Sequence, residues 1–137
     1  MEEEVTVLLI EDDQASAEMY RLRLENDGYV VLHASDGEAG LARALEDQPD
    51  LIYLDVRLPK LDGFQVLEQL RADPRTSGTP VVILTNYGEP DLRERGLELG
   101  ALEFLVKADT TPAFLSETAE QWAGAASLAE TEPTSAL

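Results

Sequence analysis

Short apolar runs alternating with longer amphipathic stretches constrain this chain more than any other feature, because that rhythm is the signature of a parallel sheet built from βαβ units. Val5 to Ile10 is apolar apart from Thr6, as suits a strand buried on both faces. Tyr29 to Ala34, Leu51 to Leu54, Val81 to Leu84 and Leu102 to Val106 repeat the pattern. Five strands with helices between them predict an α/β fold, a doubly wound five-stranded parallel sheet.

The intervening stretches carry helix signals. Gln14 to about Asn26 places Ala15, Met19 and Leu22 at helical spacing, with Asp13 as cap and Gly28 as stop. Asp36 opens a helix to about Asp47, with Pro49 beyond it, and Phe64 to about Ala72 forms a third. Asp73-Pro74 to Thr79 reads as an exit loop, after which Pro80 opens the fourth strand. Pro90 suits the first turn of a fourth helix that Gly100 ends, and Gly96 inside it weakens it by about 1 kcal/mol relative to alanine. Pro112 starts the last helix, where Leu115, Ala119 and Trp122 share a face. Ala123 to Leu137 is small and polar and is expected to fray.

At 137 residues there is room for one domain. No cysteine is present, so disulfides and thiolate metal sites are excluded. The start, MEEEVTVLLIEDD, lacks the basic residues of a secretory signal, and no apolar run is long enough to span a bilayer. A cytoplasmic protein without a membrane or nucleic-acid partner is the expectation, since 28 acidic against 10 basic residues leave a charge of −18 that repels polyanions.

Ligands of doubly wound sheets gather at the carboxyl ends of the strands. The residues there are Glu11-Asp12-Asp13, Asp55, Thr85-Asn86 and Lys107. Crowded carboxylates need a cation to stay ionised, and an oxygen-only donor set selects a hard ion such as Mg²⁺. Lys107 offers a point charge for a phosphoryl group and Thr85 a hydroxyl donor. A carboxylate nucleophile, a metal and an ammonium together describe phosphoryl transfer.

The segments VTVLLIEDD, PDLIYLDVRLPKLDGFQVLEQLR, PVVILTNYGE and GALEFLVKAD resemble the signature regions of response-regulator receiver domains, the CheY-like superfamily of two-component signalling. The resemblance covers about residues 5 to 122 and implies a flavodoxin-like (αβ)5 fold with strand order 2-1-3-4-5. It implies a receiver domain over 5–125, and the small, polar composition beyond leads to the expectation of a disordered tail over 126–137. It implies that Asp55 accepts a phosphoryl group from a sensor histidine kinase or phosphotransfer protein. Mg²⁺ is then held by Asp12, by Glu11 through water, by Asp55 and by the backbone carbonyl of Arg57. Lys107 contacts the acids and the phosphoryl oxygens, Thr85 is the switch hydroxyl, and Phe104 is the aromatic that reorients with it. Asp13 is left as an N-cap, and Pro59 and Gly63 as backbone devices, a rigid loop and a position tolerant of positive φ.

The sequence also departs from the family pattern. Ala108 stands where proline often follows the lysine, and a trans Lys107–Ala108 bond is expected. Asn86 replaces a smaller residue, and Arg57 and Tyr87 either overhang the phosphorylation site and hinder attacking water or merely point to solvent. His33 is read as an ordinary residue at the end of the second strand, away from the acids. Trp122 is expected to pack on the sheet, and Arg93, Glu94, Arg95 and Glu98 to form a solvated face, with Arg93 and Arg95 able to pair with Glu117 or Glu120.

The reading that follows is a phosphorylation-dependent switch with no output domain, a monomer or weak homodimer, whose target binds the face formed by the fourth helix, fifth strand and last helix. One alternative is an interaction module that keeps the fold but not the phosphorylation. Another is an aspartate-nucleophile phosphatase, but such enzymes carry a second Asp two residues after the nucleophile, where this chain has Arg57.

Overall fold

A computed structural model of the chain describes residues 4–124. The chain runs β1 (Thr6–Ile10), α1 (Gln14–Asn26), β2 (Val30–Ala34), α2 (Gly37–Asp47), β3 (Leu51–Leu54) and α3 (Gly63–Ala72). It continues through β4 (Val81–Thr85), α4 (Pro90–Glu98), β5 (Glu103–Val106) and α5 (Pro112–Ala119). The strands form one parallel sheet in the order β2-β1-β3-β4-β5. This is the doubly wound α/β architecture implied above.

Alternation along each strand divides the interior into two cores, one on each face of the sheet. Leu8 and Ile10 of β1 join Ile52 and Leu54 of β3, Ile83 of β4 and the buried side of α3. Val7 and Leu9 join Tyr53, Leu84, Tyr20 and Leu24 of α1, and Leu115 and Ala119 of α5. Because the central strands are covered on both sides, every residue of β3 and β4 is buried.

Side-chain caps start four of the five long helices. Asp13, Asp36 and Thr111 accept hydrogen bonds from Ser16 N, Ala39 N and Phe114 N, and Asp62 with Gln65 forms a capping box. Gly28 and Gly100, read as stops, both have positive φ, 102° and 105°.

Four expectations need correction. The face of α1 that meets the sheet is Ala17, Tyr20 and Leu24, whereas Ala15 is exposed and Met19 and Leu22 are 43% and 54% exposed. Tyr20 displaces the expected stripe because its ring enters the core while its hydroxyl finds a buried acceptor. Gly63 does not adopt positive φ; the left-handed residue of that loop is Lys60, φ 74°. Ala123 does not fray, because α5 widens into a π-helical turn over Glu120–Gly124 that buries Ala123 and half-buries Trp122. Arg93 and Arg95 do not pair with Glu117 or Glu120: Arg93 Nη1 donates to Phe104 O at 3.4 Å and Arg95 stacks 4.6 Å above the Phe64 ring. The expected disordered tail over 126–137 lies outside the described residues.

Candidate functional site

The site grows from the carboxyl edge of three adjacent strands. At the end of β1, Glu11 N continues the ladder by donating to Ala34 O at 2.9 Å, and Asp55 N, just past β3, donates to Ile10 O at 3.1 Å. These bonds set two carboxylates side by side, buried at the sheet edge. Asp12 is exposed at the rim, and all three acids have oxygen atoms within 4.8 Å of one another. Asp13 turns away to cap α1, and its backbone N–H donates to Glu11 Oε2 at 2.9 Å.

Lys107 arrives from the end of β5. Its ammonium lies 2.5 Å from Glu11 Oε1 and 3.0 Å from Asp55 Oδ2, with only 7% of the side chain exposed. Burial alone would lower its pKa, but the bonds to Glu11 and Asp55 prevail and raise it, so the group stays charged. Burial pushes Glu11 up from the ordinary carboxylate range; Lys107 and the Asp13 N–H pull it back, while Asp55 repels it. Glu11 Oε1 accepts no well-directed hydrogen bond beyond this ammonium contact. Three carboxylates, two of them buried, and no nitrogen or sulfur donor fit a hard divalent cation.

The loop after β3 wraps this pocket closely. Gly63 N donates to Val56 O at 2.7 Å, and a Cβ on Gly63 would stand 2.1 Å from Asp55 O. Only glycine allows α3 to begin against the backbone of Asp55. An open groove of about 540 Å³ leads away from Asp12 past Arg57, Pro59 and Asp62 to Phe64 and Leu92.

The remaining expected residues fall into two groups. Thr85 is the fully buried last residue of β4, and its hydroxyl oxygen is 3.4 Å from Tyr87 N; Phe104 is buried under α4. Arg57 and Tyr87 come from separate loops yet meet, the guanidinium 4.2 Å above the tyrosine ring. The described peptide bonds, Lys107–Ala108 included, are trans.

One neighbour of the acids was misplaced by sequence reasoning. His33 is not remote from the acids: its Nε2 lies 2.8 Å from the carbonyl oxygen of Glu11. The register gives the reason, since Leu9 pairs with His33 and the side chain reaches two residues further along the neighbouring strand. A hydrogen-bonding side chain near the carboxyl end of a strand adjacent to β1 was the available signal.

Residues 7–118 match the response regulator receiver domain family. The DNA-binding dual master transcriptional regulator RpaA of Synechocystis sp. is 45% identical over 101 residues, 74% of this chain and 42% of RpaA. The chain spans between about one-fifth and two-fifths of the length of the curated relatives it matches, E. coli transcriptional regulatory protein HprR among them at 46% identity, 74% of this chain and 44% of HprR. The crystal structure of a putative response regulator from Chloroflexus aurantiacus superposes with a TM-score of 0.83 at 32% identity, covering 89% of this chain and 99% of that one. That of the phosphorylated cyanobacterial phytochrome response regulator RcpA does so with a TM-score of 0.80 at 26% identity, covering 88% and 94%.

Proposed function

The chain belongs to the response regulator receiver domain family, and from that premise we propose that it is a phosphorylation-dependent switch in which Asp55 accepts a phosphoryl group with the help of Mg²⁺. Receiver domains are signalling phosphoacceptors that bind Mg²⁺ at an acidic pocket and interact with histidine kinases or phosphotransfer proteins. The observation that carries the proposal is the convergence of Glu11, Asp12, Asp55 and Lys107 at one sheet edge, with Lys107 bridging the two buried acids.

In this reading an Asp55 carboxylate oxygen attacks the phosphorus of a phosphohistidine. The phosphorus–nitrogen bond breaks, an acyl phosphate forms, and the freed imidazole takes a proton from solvent. Asp12, Asp55 and the Arg57 carbonyl would hold the ion, with Glu11 acting through water. The bound ion supplies positive charge against the phosphoryl oxygens. Lys107 supplies the second positive charge, already aimed at Asp55 before the donor arrives. The Thr85 hydroxyl then turns toward the new phosphoryl group and Phe104 follows, shifting a two-state equilibrium that a target protein reads on the α4–β5–α5 face. The relative RpaA is a DNA-binding regulator, but the −18 charge of this chain argues for a protein as the direct reader.

Treatment with acetyl phosphate and Mg²⁺, followed by intact-mass measurement or a Phos-tag gel, tests the proposal. Wild type should gain one phosphoryl group, and Asp55→Asn or removal of Mg²⁺ with EDTA should abolish the gain. An unmodified wild type, or equal modification of Asp55→Asn, would overturn the phosphoacceptor reading in favour of a phosphorylation-independent module.

Arg57 lies in the loop after β3, two residues past Asp55, and Tyr87 in the loop after β4, so a role for their stack in hindering the approach of water would slow loss of the phosphoryl group. Tyr87→Ala should therefore dephosphorylate severalfold faster; an unchanged or slower decay would remove this role.

A further inference from the structure

The turn that carries Lys107 has an unusual support. Lys107–Asp109 forms a single 3₁₀ turn, and Ala108 and Asp109 are exposed. Ala108 does not restrict φ as a proline would, so the turn must be held by its hydrogen bonds. Thr110 makes two of them: its N–H donates to Lys107 O at 3.1 Å and its hydroxyl to Val106 O at 2.8 Å. Thr110 is buried, and its own carbonyl accepts a 2.8 Å hydrogen bond from the hydroxyl of Tyr20, ninety residues earlier in α1.

Tyr20 occupies a core position between Ala17 and Leu24, where an aliphatic side chain would satisfy packing alone. Its ring does that, while its hydroxyl connects the helix that follows Glu11 and Asp12 to the turn that follows β5. Both segments that meet at the Lys107–Glu11 contact are thus joined a second time, beneath the site. We infer that Tyr20 is a positioning residue that, through the Thr110 carbonyl, holds the Lys107 ammonium against Glu11 and Asp55. Its consequence for phosphorylation rests on the reading proposed above, but the bracing itself does not.

The sequence supplies a probe for the bracing, since Lys60 and Lys107 are its only lysines. Lys60 is 59% exposed and Lys107 is 7% exposed, so reductive methylation of the full chain should label Lys60 fast and Lys107 slowly. Peptide mass spectrometry gives the ratio of the two rates. Tyr20→Phe should raise the Lys107 rate severalfold and leave Lys60 unchanged, and Thr110→Val, which removes the bond to Val106, should act in the same direction. Tyr53→Phe is the control, because it also loses a buried hydroxyl, one that donates to Leu115 O at 3.0 Å and lies against α5. It should leave the ratio as in wild type. An unchanged Lys107 rate in Tyr20→Phe, or an equal rise in Tyr53→Phe, overturns the bracing.

Phosphorylation by acetyl phosphate and Mg²⁺ provides the functional arm. Tyr20→Phe should slow it severalfold with the Mg²⁺ affinity, measured by calorimetry, unchanged. In a Lys107→Met background the same substitution should have no further effect, and an additional slowing there would show that Tyr20 does not act through Lys107. Failure of wild type to become phosphorylated would overturn the phosphoacceptor reading, while the labelling ratio would still decide the bracing.

Discussion

The helices on either side of β5 are attached to the sheet by opposite means. α5 buries Leu115, Ser116, Thr118 and Ala119, and the Tyr53 hydroxyl reaches up from β3 to Leu115 O and Thr118 Oγ1. Ser116 bonds to Asp27 at the end of α1, and the Trp122 indole donates to Glu103 at 2.9 Å. α4 buries one residue, Gly96, whose missing Cβ would stand 2.4 Å from Ile83 Cδ1. Its other holds are half-buried Leu92, the Arg95–Phe64 stack and the long Arg93 bond to Phe104 O. The Lys107 side of the site is thus supported by buried packing and directed hydrogen bonds. The Thr85 and Phe104 side lies under a helix with little buried apolar surface, the kind of element that moves at small cost.

Three substitutions break or sharpen this contrast, in order of expected effect on urea denaturation. Leu115→Ala should cost about 2–5 kcal/mol, since it opens a cavity in a fully buried position. Gly96→Ala should cost about 1–3 kcal/mol from overpacking against Ile83, offset by roughly 1 kcal/mol of helix propensity. Were it to cost as much as Leu115→Ala, α4 would be as firmly seated as α5 and the contrast would fail. Arg95→Ala should cost only about 0.5–1 kcal/mol through the lost stack on Phe64. Hydrogen exchange should nonetheless show faster opening of α4 amides in that variant, with α5 unchanged; equal acceleration in both helices would argue that they open together.

Much of the fold could be read from local pattern. Strand positions followed from short, mostly apolar runs, and Asp13, Asp36, Gly28 and Gly100 marked helix ends because capping and positive φ are local requirements. The face of α1 was misread because Met19 and Leu22 are more apolar than Tyr20, and nothing local reveals that a tyrosine hydroxyl has a buried acceptor ninety residues away. Gly96 was legible as a weak point in a helix; that it is also a contact surface depends on Ile83 lying beneath it. Arg71 gave no signal at all, yet its guanidinium donates to Thr79 O at 2.8 Å and Gly100 O at 2.9 Å, tying two loops at the opposite end of the sheet.

By itself, then, the sequence determined the alternation of strand and helix and the set of groups at the strand ends: Glu11, Asp12, Asp55, Thr85 and Lys107. Periodicity, capping and the rule that ligands meet the carboxyl edge of a parallel sheet are properties of neighbouring residues, so a linear reading can find them. Tertiary structure alone decided which of those groups touch. The 2.5 Å and 3.0 Å contacts of Lys107, the stack of Arg57 on Tyr87, the reach of His33 to Glu11 and the Tyr20–Thr110 bond all join residues far apart in the chain. Their geometry is set by register and packing, which exist only once the sheet has closed.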